Sequence, residues 1–107
     1  MNDLIRPALY NASHKVEVLN DNQEFTDCNL VGPICESTDF FAKNIDLPQT
    51  QHNDLVVLYS AGAYCFTMAS NYNTRGKVAE IAVENGQDRL IRKRETFEDI
   101  IALEEEF

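Results

Sequence analysis

Between residues 14 and 19 the chain alternates apolar Val16 and Val18 with charged Lys15 and Glu17, the period of two that marks a half-buried strand. Asn20-Asp21-Asn22 ends that strand as a turn, and a second strand is predicted over residues 24–31. Gly32-Pro33 then bends the chain ahead of Ile34-Cys35-Glu36. Residues 37–44, with Asp39, Phe40 and Phe41, and the polar stretch 46–54, with Pro48 inside it, read as loop. Leu55-Val56-Val57-Leu58-Tyr59 is continuously apolar and rich in β-branched residues, which predicts a core strand buried on both faces. Residues 63–75 mix Tyr64, Phe66, Met68 and Tyr72 with small polar residues and have the character of a functional loop. Two apolar-alternating stretches, 78–83 and 89–92, flank Asn85-Gly86, a pair that accepts positive φ, so they predict a hairpin. Thr96 followed by Asp99 gives a capping pattern, and Phe97, Ile100 and Ile101 share one helical face. A short amphipathic helix is therefore expected near the C-terminus, fraying at Glu104-Glu105-Glu106. At the other end, residues 4–10 read as a loop or single turn that Asp3 would cap and Pro7 would keep short. Five or six short strands with frequent turns predict a mainly β fold, a barrel or sandwich with small helical additions.

Charge narrows the function classes. Nine Lys and Arg stand against eighteen Asp and Glu in 107 residues, a formal net charge of −9. Such a surface repels phosphate backbones and anionic lipid, which argues against nucleic-acid and membrane partners. No apolar run approaches the roughly 18 residues of a membrane span, and MNDLIRPALY lacks the basic-then-apolar pattern of a secretion signal. The hydrophobic share of 44% is enough for the core of one domain. Cys28, Cys35 and Cys65 are an odd set with no Cys-x-x-Cys and no His at zinc-ligand spacing, so a structural metal is not expected. The same set fits a reducing, cytoplasmic setting.

Three small constellations carry candidate chemistry. Arg6 and Tyr10 are four apart and would share a face of a helical turn, where a forked guanidinium and a hydroxyl could grip a carboxylate; a solvated Arg and a packed Tyr is the plainer alternative. Cys35-Glu36 pairs a thiol that can donate a proton with an acid that can bind an ammonium group, against the alternative of a buried Cys beside a surface Glu. Gly62-Ala63-Tyr64 offers small residues beside a ring with a polar tip, suited to a phosphate or planar ligand, against a bulge packed by a core Tyr. His14 and His52 read as surface or turn residues. Arg89 to Arg94, with Lys93, reads as a solvated charged face that balances the acidic helix after it.

Taken together and in order, MNDLIRPALY, VGPICESTDFF and GAYCFTMASNYN resemble the C-terminal domain of the diaminopimelate decarboxylases, pyridoxal-phosphate enzymes of the alanine-racemase-like fold type. The resemblance spans the first two-thirds of the chain and favours the functional reading at all three constellations. It implies that residues 1–107 are a C-terminal Greek-key β-barrel or sandwich domain of a larger enzyme, with Met1 an internal methionine. An upstream α/β barrel would carry the Schiff-base lysine, and none of Lys15, Lys43, Lys77 or Lys93 stands in that lysine's context. Alone, the chain would be inactive.

By the same resemblance, Arg6 and Tyr10 bind a substrate carboxylate, and Cys35 gives a proton to the carbon that has lost CO₂. Glu36 holds the distal ammonium of meso-diaminopimelate. Cys35 and Glu36 would be offered across a homodimer interface to the neighbour's pyridoxal phosphate, with Tyr64 touching cofactor and substrate. Asp39, Met68, Asn71, Tyr72 and Asn73 match supporting or interface positions. The product would be L-lysine, placing the enzyme in lysine biosynthesis. Related ornithine, arginine or carboxynorspermidine decarboxylases share the cysteine but generally place Asp after it, so Cys35-Glu36-Ser37 is the discriminating feature. A non-catalytic regulatory homologue is the alternative from another class. It would have no need of Arg6, Tyr10, Cys35, Glu36 and Tyr64 together.

Overall fold

A computed structural model describes residues 1–106; Phe107, the last residue of the expected domain, lies outside the described residues. In chain order the elements are helix α1 (Arg6–Tyr10), strands β1 (Val16–Leu19), β2 (Phe25–Val31), β3 (Phe40–Pro48) and β4 (Leu55–Leu58). Two 3-10 turns (Phe66–Met68 and Tyr72–Thr74) follow, then strands β5 (Glu80–Glu84) and β6 (Gln87–Arg92) and helix α2 (Phe97–Ile100). The fold is mainly β, as expected, yet the described residues do not close into a barrel or sandwich. Among them, six strands make three separate antiparallel ribbons, β1–β4, β2–β3 and β5–β6.

Pro7 sits in the first turn of α1, where its missing N–H costs nothing, so it starts the helix rather than breaking it. Asp3 is not the cap: Ile5 holds that position without a side-chain bond, and Asn11 ends the helix in the left-handed conformation.

The largest departure from expectation is β3. Residues read as loop form a nine-residue strand paired along β2, from Phe25 opposite Pro48 to Val31 opposite Phe40. A bulge near Asn44 breaks its alternation; Asn44 has φ +51°, and its N–H donates to the Asn29 side chain at 2.9 Å. Pro48 lies at the strand's end, where a missing donor is tolerated.

The run 55–58 does form a strand, but not one buried on both faces. Its one strand partner is β1, in the register Val16 opposite Leu58 and Leu19 opposite Leu55, and Leu55 is 67% exposed. Buried apolar residues among those described are instead Leu4, Pro7, Val18, Ile34 and Leu47, drawn from separate segments.

The hairpin follows the sequence pattern. Asn85 and Gly86 both take positive φ, +53° and +74°, the pairing a two-residue turn of matching twist requires. Helix α2 carries the full capping box: the Thr96 hydroxyl accepts the Asp99 N–H at 3.2 Å, and the Asp99 carboxylate accepts the Thr96 N–H at 2.8 Å. Glu104 to Glu106 lie beyond the helix, as their clash with its dipole predicts.

These ribbons are spread thinly. The radius of gyration is 16.1 Å, against about 13 Å for a compact domain of this length. The accessible surface is 8476 Å², against roughly 6,100 Å² for a compact protein of the same mass. Among the described residues, no helix is long and apolar enough to cross a membrane.

Candidate active site

The expected site residues fall on three segments: α1, the bend joining β2 to β3, and the loop after β4. On α1, Arg6 and Tyr10 stand four residues apart and share one side of the turn. The Arg6 guanidinium lies 5.9 Å from the centre of the Tyr64 ring, near the outer range of a cation–π contact. Two motifs far apart in sequence therefore meet here. Tyr64 itself has φ +67°, an uncommon conformation for a bulky side chain, and both it and Tyr10 are 63% exposed. Neither the packed Tyr10 nor the core Tyr64 of the plainer alternatives is found.

The bend at residues 32–39 is built around Asp39, which is only 4% exposed. Its carboxylate accepts the Ile34 N–H at 2.8 Å, while its carbonyl accepts the Gly32 N–H at 2.9 Å. This closed loop presents Cys35 and Glu36 outward. Cys35 is an exposed free thiol, and its backbone N–H donates to Asn73 Oδ1 at 2.8 Å. Glu36 Oε1 accepts three bonds, from the Thr38 N–H at 3.2 Å, the Thr38 hydroxyl at 3.1 Å and the Ser37 hydroxyl at 3.3 Å. The Thr38 N–H, helped by those hydroxyls, holds the Glu36 carboxyl below the ordinary glutamate value. The group is thus an anion at neutral pH, held through Oε1.

The other two thiols differ from Cys35. Cys65 is half-buried, and burial outweighs the nearby Arg6 charge to push its thiol up. Cys28 Sγ points at the Ile45 carbonyl, 3.6 Å away, within the β2–β3 ribbon. His14 is not a surface residue: it is 8% exposed, with Nδ1 2.9 Å from the Tyr59 carbonyl, which ties it to the end of β4. His52 does lie exposed in a turn. Arg92 bonds Glu80 across the hairpin at 2.7 Å and stacks 3.5 Å from the Phe66 ring, so it braces the loop after β4 more than it balances α2.

Among the clefts of the described residues, two bear on the candidate site. One, of about 610 Å³, lies between α1 and β3 and is lined by Pro7, His14, Phe41 and Leu47 among others. A second, of about 380 Å³, is lined chiefly by apolar residues including Leu4, Leu58 and Phe66. None of Arg6, Tyr10, Cys35, Glu36 or Tyr64 lines either one. The chemistry stands on open surface.

The resemblance marked Asn73 and Tyr72 as supporting positions, but the partners of two tethers there had no signal in the pattern of the sequence. The Asn73 bond to Cys35 joins residues 38 apart, and the Asn2 side chain donates to the Tyr72 carbonyl across 70 residues.

Residues 1–62 match the family model described as the C-terminal sheet domain of pyridoxal-dependent decarboxylases. The chain is 59% identical over its whole length to a diaminopimelate decarboxylase of Campylobacter jejuni and 46% identical over 99% of its length to that of Helicobacter pylori. It spans 27% of the length of each. Its fold superposes on a crystal structure of the Helicobacter pylori diaminopimelate decarboxylase complexed with L-lysine, with a TM-score of 0.91 and 44% identity over 97% of this chain and 26% of that one.

Proposed function

We propose, from the premise that this chain belongs to the C-terminal sheet domain family of pyridoxal-dependent decarboxylases, that it is the substrate-recognition and proton-delivery part of a diaminopimelate decarboxylase. The observation that carries this reading is the bend at residues 32–39: an exposed thiol beside a carboxylate pinned through one oxygen by three donors.

The chain's similarity to whole diaminopimelate decarboxylases, of which it spans about a quarter, supports a longer polypeptide as the working enzyme. The open edges of the three ribbons and the surplus accessible surface support the same reading, because such faces need cover. The closed barrel would form only when those edges meet the rest of the polypeptide, and the Schiff-base lysine would lie there too.

The residues present suit a flat, phosphate-bearing cofactor: the Tyr64 ring is exposed, Arg6 supplies a cation beside it, and Gly62 leaves the space next to it open. When bound, pyridoxal phosphate supplies an electron sink for the bond to the departing carboxylate. Arg6 and Tyr10 grip a carboxylate of meso-diaminopimelate, Arg6 by forked charged bonds. Glu36 takes the distal ammonium, which fixes which end of the substrate reacts. As CO₂ leaves, its bonding electron pair stays on carbon. Cys35 then breaks its S–H bond to form the new C–H bond, and water restores the thiol. Cys35 and Glu36 would serve the cofactor of the second subunit of a homodimer.

The test is Cys35→Ala in the full-length, cofactor-loaded dimer, assayed for L-lysine and CO₂ from meso-diaminopimelate. Cofactor absorbance is expected to stay while lysine release falls about 100-fold or more; normal turnover would contradict the assignment.

A further inference from the structure

We infer that Asn73 is a positioning residue for Cys35, setting where its thiol stands by holding the backbone N–H of the same residue. The inference rests on the reading of Cys35 as proton donor and adds to it the part that aims the donor.

Cys35 is exposed, so packing does not fix it. The residues around it are held from within the bend: Asp39 takes the Ile34 N–H, and the Glu36 N–H reaches back to the Ile34 carbonyl at 2.7 Å. The N–H of Cys35 leaves the bend and donates to Asn73 Oδ1 at 2.8 Å, in the loop that also carries Tyr64. That bond is the tether between the thiol-bearing bend and the loop whose ring faces the cofactor. Asn73 is shaped for it. Its backbone is left-handed, at φ +60° and ψ +29°, and the next residue, Thr74, is also at φ +57°. Asn tolerates that conformation because its short amide can bond locally, whereas a β-branched Thr does not favour it. Two successive left-handed residues swing the Asn73 amide out of the 3-10 turn toward Cys35. Strain of this kind persists only where the surroundings enforce it. Here the ends of the loop are tied down: Asn71 Nδ2 donates to the Arg75 carbonyl at 3.0 Å and to the Glu95 carboxylate, and Asn2 holds the Tyr72 carbonyl at 2.9 Å.

Proton delivery is sensitive to position, since a misplacement of about 1 Å can cost roughly 100-fold in rate. Loss of the Asn73 oxygen therefore acts on turnover and leaves recognition by Arg6, Tyr10 and Glu36 in place.

The experiment compares wild type, Asn73→Ala and Asn73→Asp as full-length, cofactor-loaded dimers. Asp keeps an acceptor oxygen at the same reach and tolerates the same backbone. Three quantities are read: kcat and KM for meso-diaminopimelate, deuterium uptake of the peptide spanning residues 33–38, and the rate of iodoacetamide labelling at Cys35 resolved by peptide mass. For Asn73→Ala we expect kcat down about tenfold or more with KM within about threefold. Uptake at residues 33–38 and labelling of Cys35 should change with it, and Asn73→Asp should restore all three toward wild type. Unchanged uptake and labelling in Asn73→Ala would overturn the tether. Equal loss in Ala and Asp variants would also overturn it, as would a rise in KM with kcat intact. If Cys35→Ala retains turnover while Asn73→Ala still alters uptake at residues 33–38, the proton-donor reading fails and the tether stands.

Discussion

Gly32 has no side chain, and the buried Asp39 carboxylate occupies the place where one would go: a Cβ built there overlaps that carboxylate outright. Because the same carboxylate accepts the Ile34 N–H, an added methyl would push apart the bend that presents Cys35. Gly32→Ala in the full-length polypeptide should lose about 1–3 kcal/mol of stability in urea melts, the usual cost of overpacking a filled site. Wild-type stability would mean that Asp39 gives way freely. Glu36 answers a different question. On the proposed reading its charge meets the substrate's distal ammonium, so Glu36→Gln should lower kcat/KM for meso-diaminopimelate about tenfold or more, and unchanged kinetics would remove Glu36 from the site. The local pair Cys35-Glu36 left a plainer alternative open, and only the three motifs together favoured a functional reading. The tethers were not legible, because a hydrogen bond from Asn73 to Cys35 joins segments that no local periodicity relates. His14 escaped for the same reason: its partner is the Tyr59 carbonyl, 45 residues away.

Elements formed where local chemistry alone was decisive. The β5–β6 hairpin is closed by Asn85-Gly86 whatever the rest of the chain does. Gly86 has φ +74° and nothing near its missing Cβ, so Gly86→Ala should cost about 1 kcal/mol through the backbone alone. Amide exchange across β5 and β6 reads that cost directly, and no change there would mean the turn does not hold the hairpin. The capping box of α2 was equally legible in Thr96 and Asp99. Strand β3 was not, because its identity depends on β2. Its bulge places Lys43 and Asn44 outward in succession, which erases the alternation, and the Asn29 side chain supplies the bond that the bulge removes from the ladder. Strand β4 errs in the other direction. An apolar run reads as buried on both faces, but what covers a face is a property of neighbours, and Leu55 here meets solvent.

For the whole molecule, charge and surface set the behaviour. Glu36, Asp54, Glu95 and Asp99 each lie below their ordinary values, in every case first because a backbone N–H bonds the charged form: Thr38, Gln51, Lys77 and Thr96 respectively. A carboxyl whose folded pKa is depressed stabilises the fold above its unfolded value of about 4, and loses that contribution as pH falls through the folded value. Deuterium uptake of the full-length polypeptide, corrected for intrinsic exchange, should rise in the segments around these four residues below about pH 4 while staying flat from pH 6 to 8. Protection unchanged at low pH would show that these carboxylates do not hold their loops. The surplus surface, and candidate site residues standing outside the clefts described, support the proposal that faces beyond this domain complete the site. The measurement that tests this most directly is complementation in mixed dimers of the full-length enzyme. One subunit carries Cys35→Ala and the other lacks its Schiff-base lysine, each being inactive on its own. If Cys35 serves the neighbour's cofactor, equal mixing leaves one intact site in half of the dimers and restores about a quarter of wild-type lysine release. No recovery in dimers shown to have exchanged subunits would contradict a site shared across the interface.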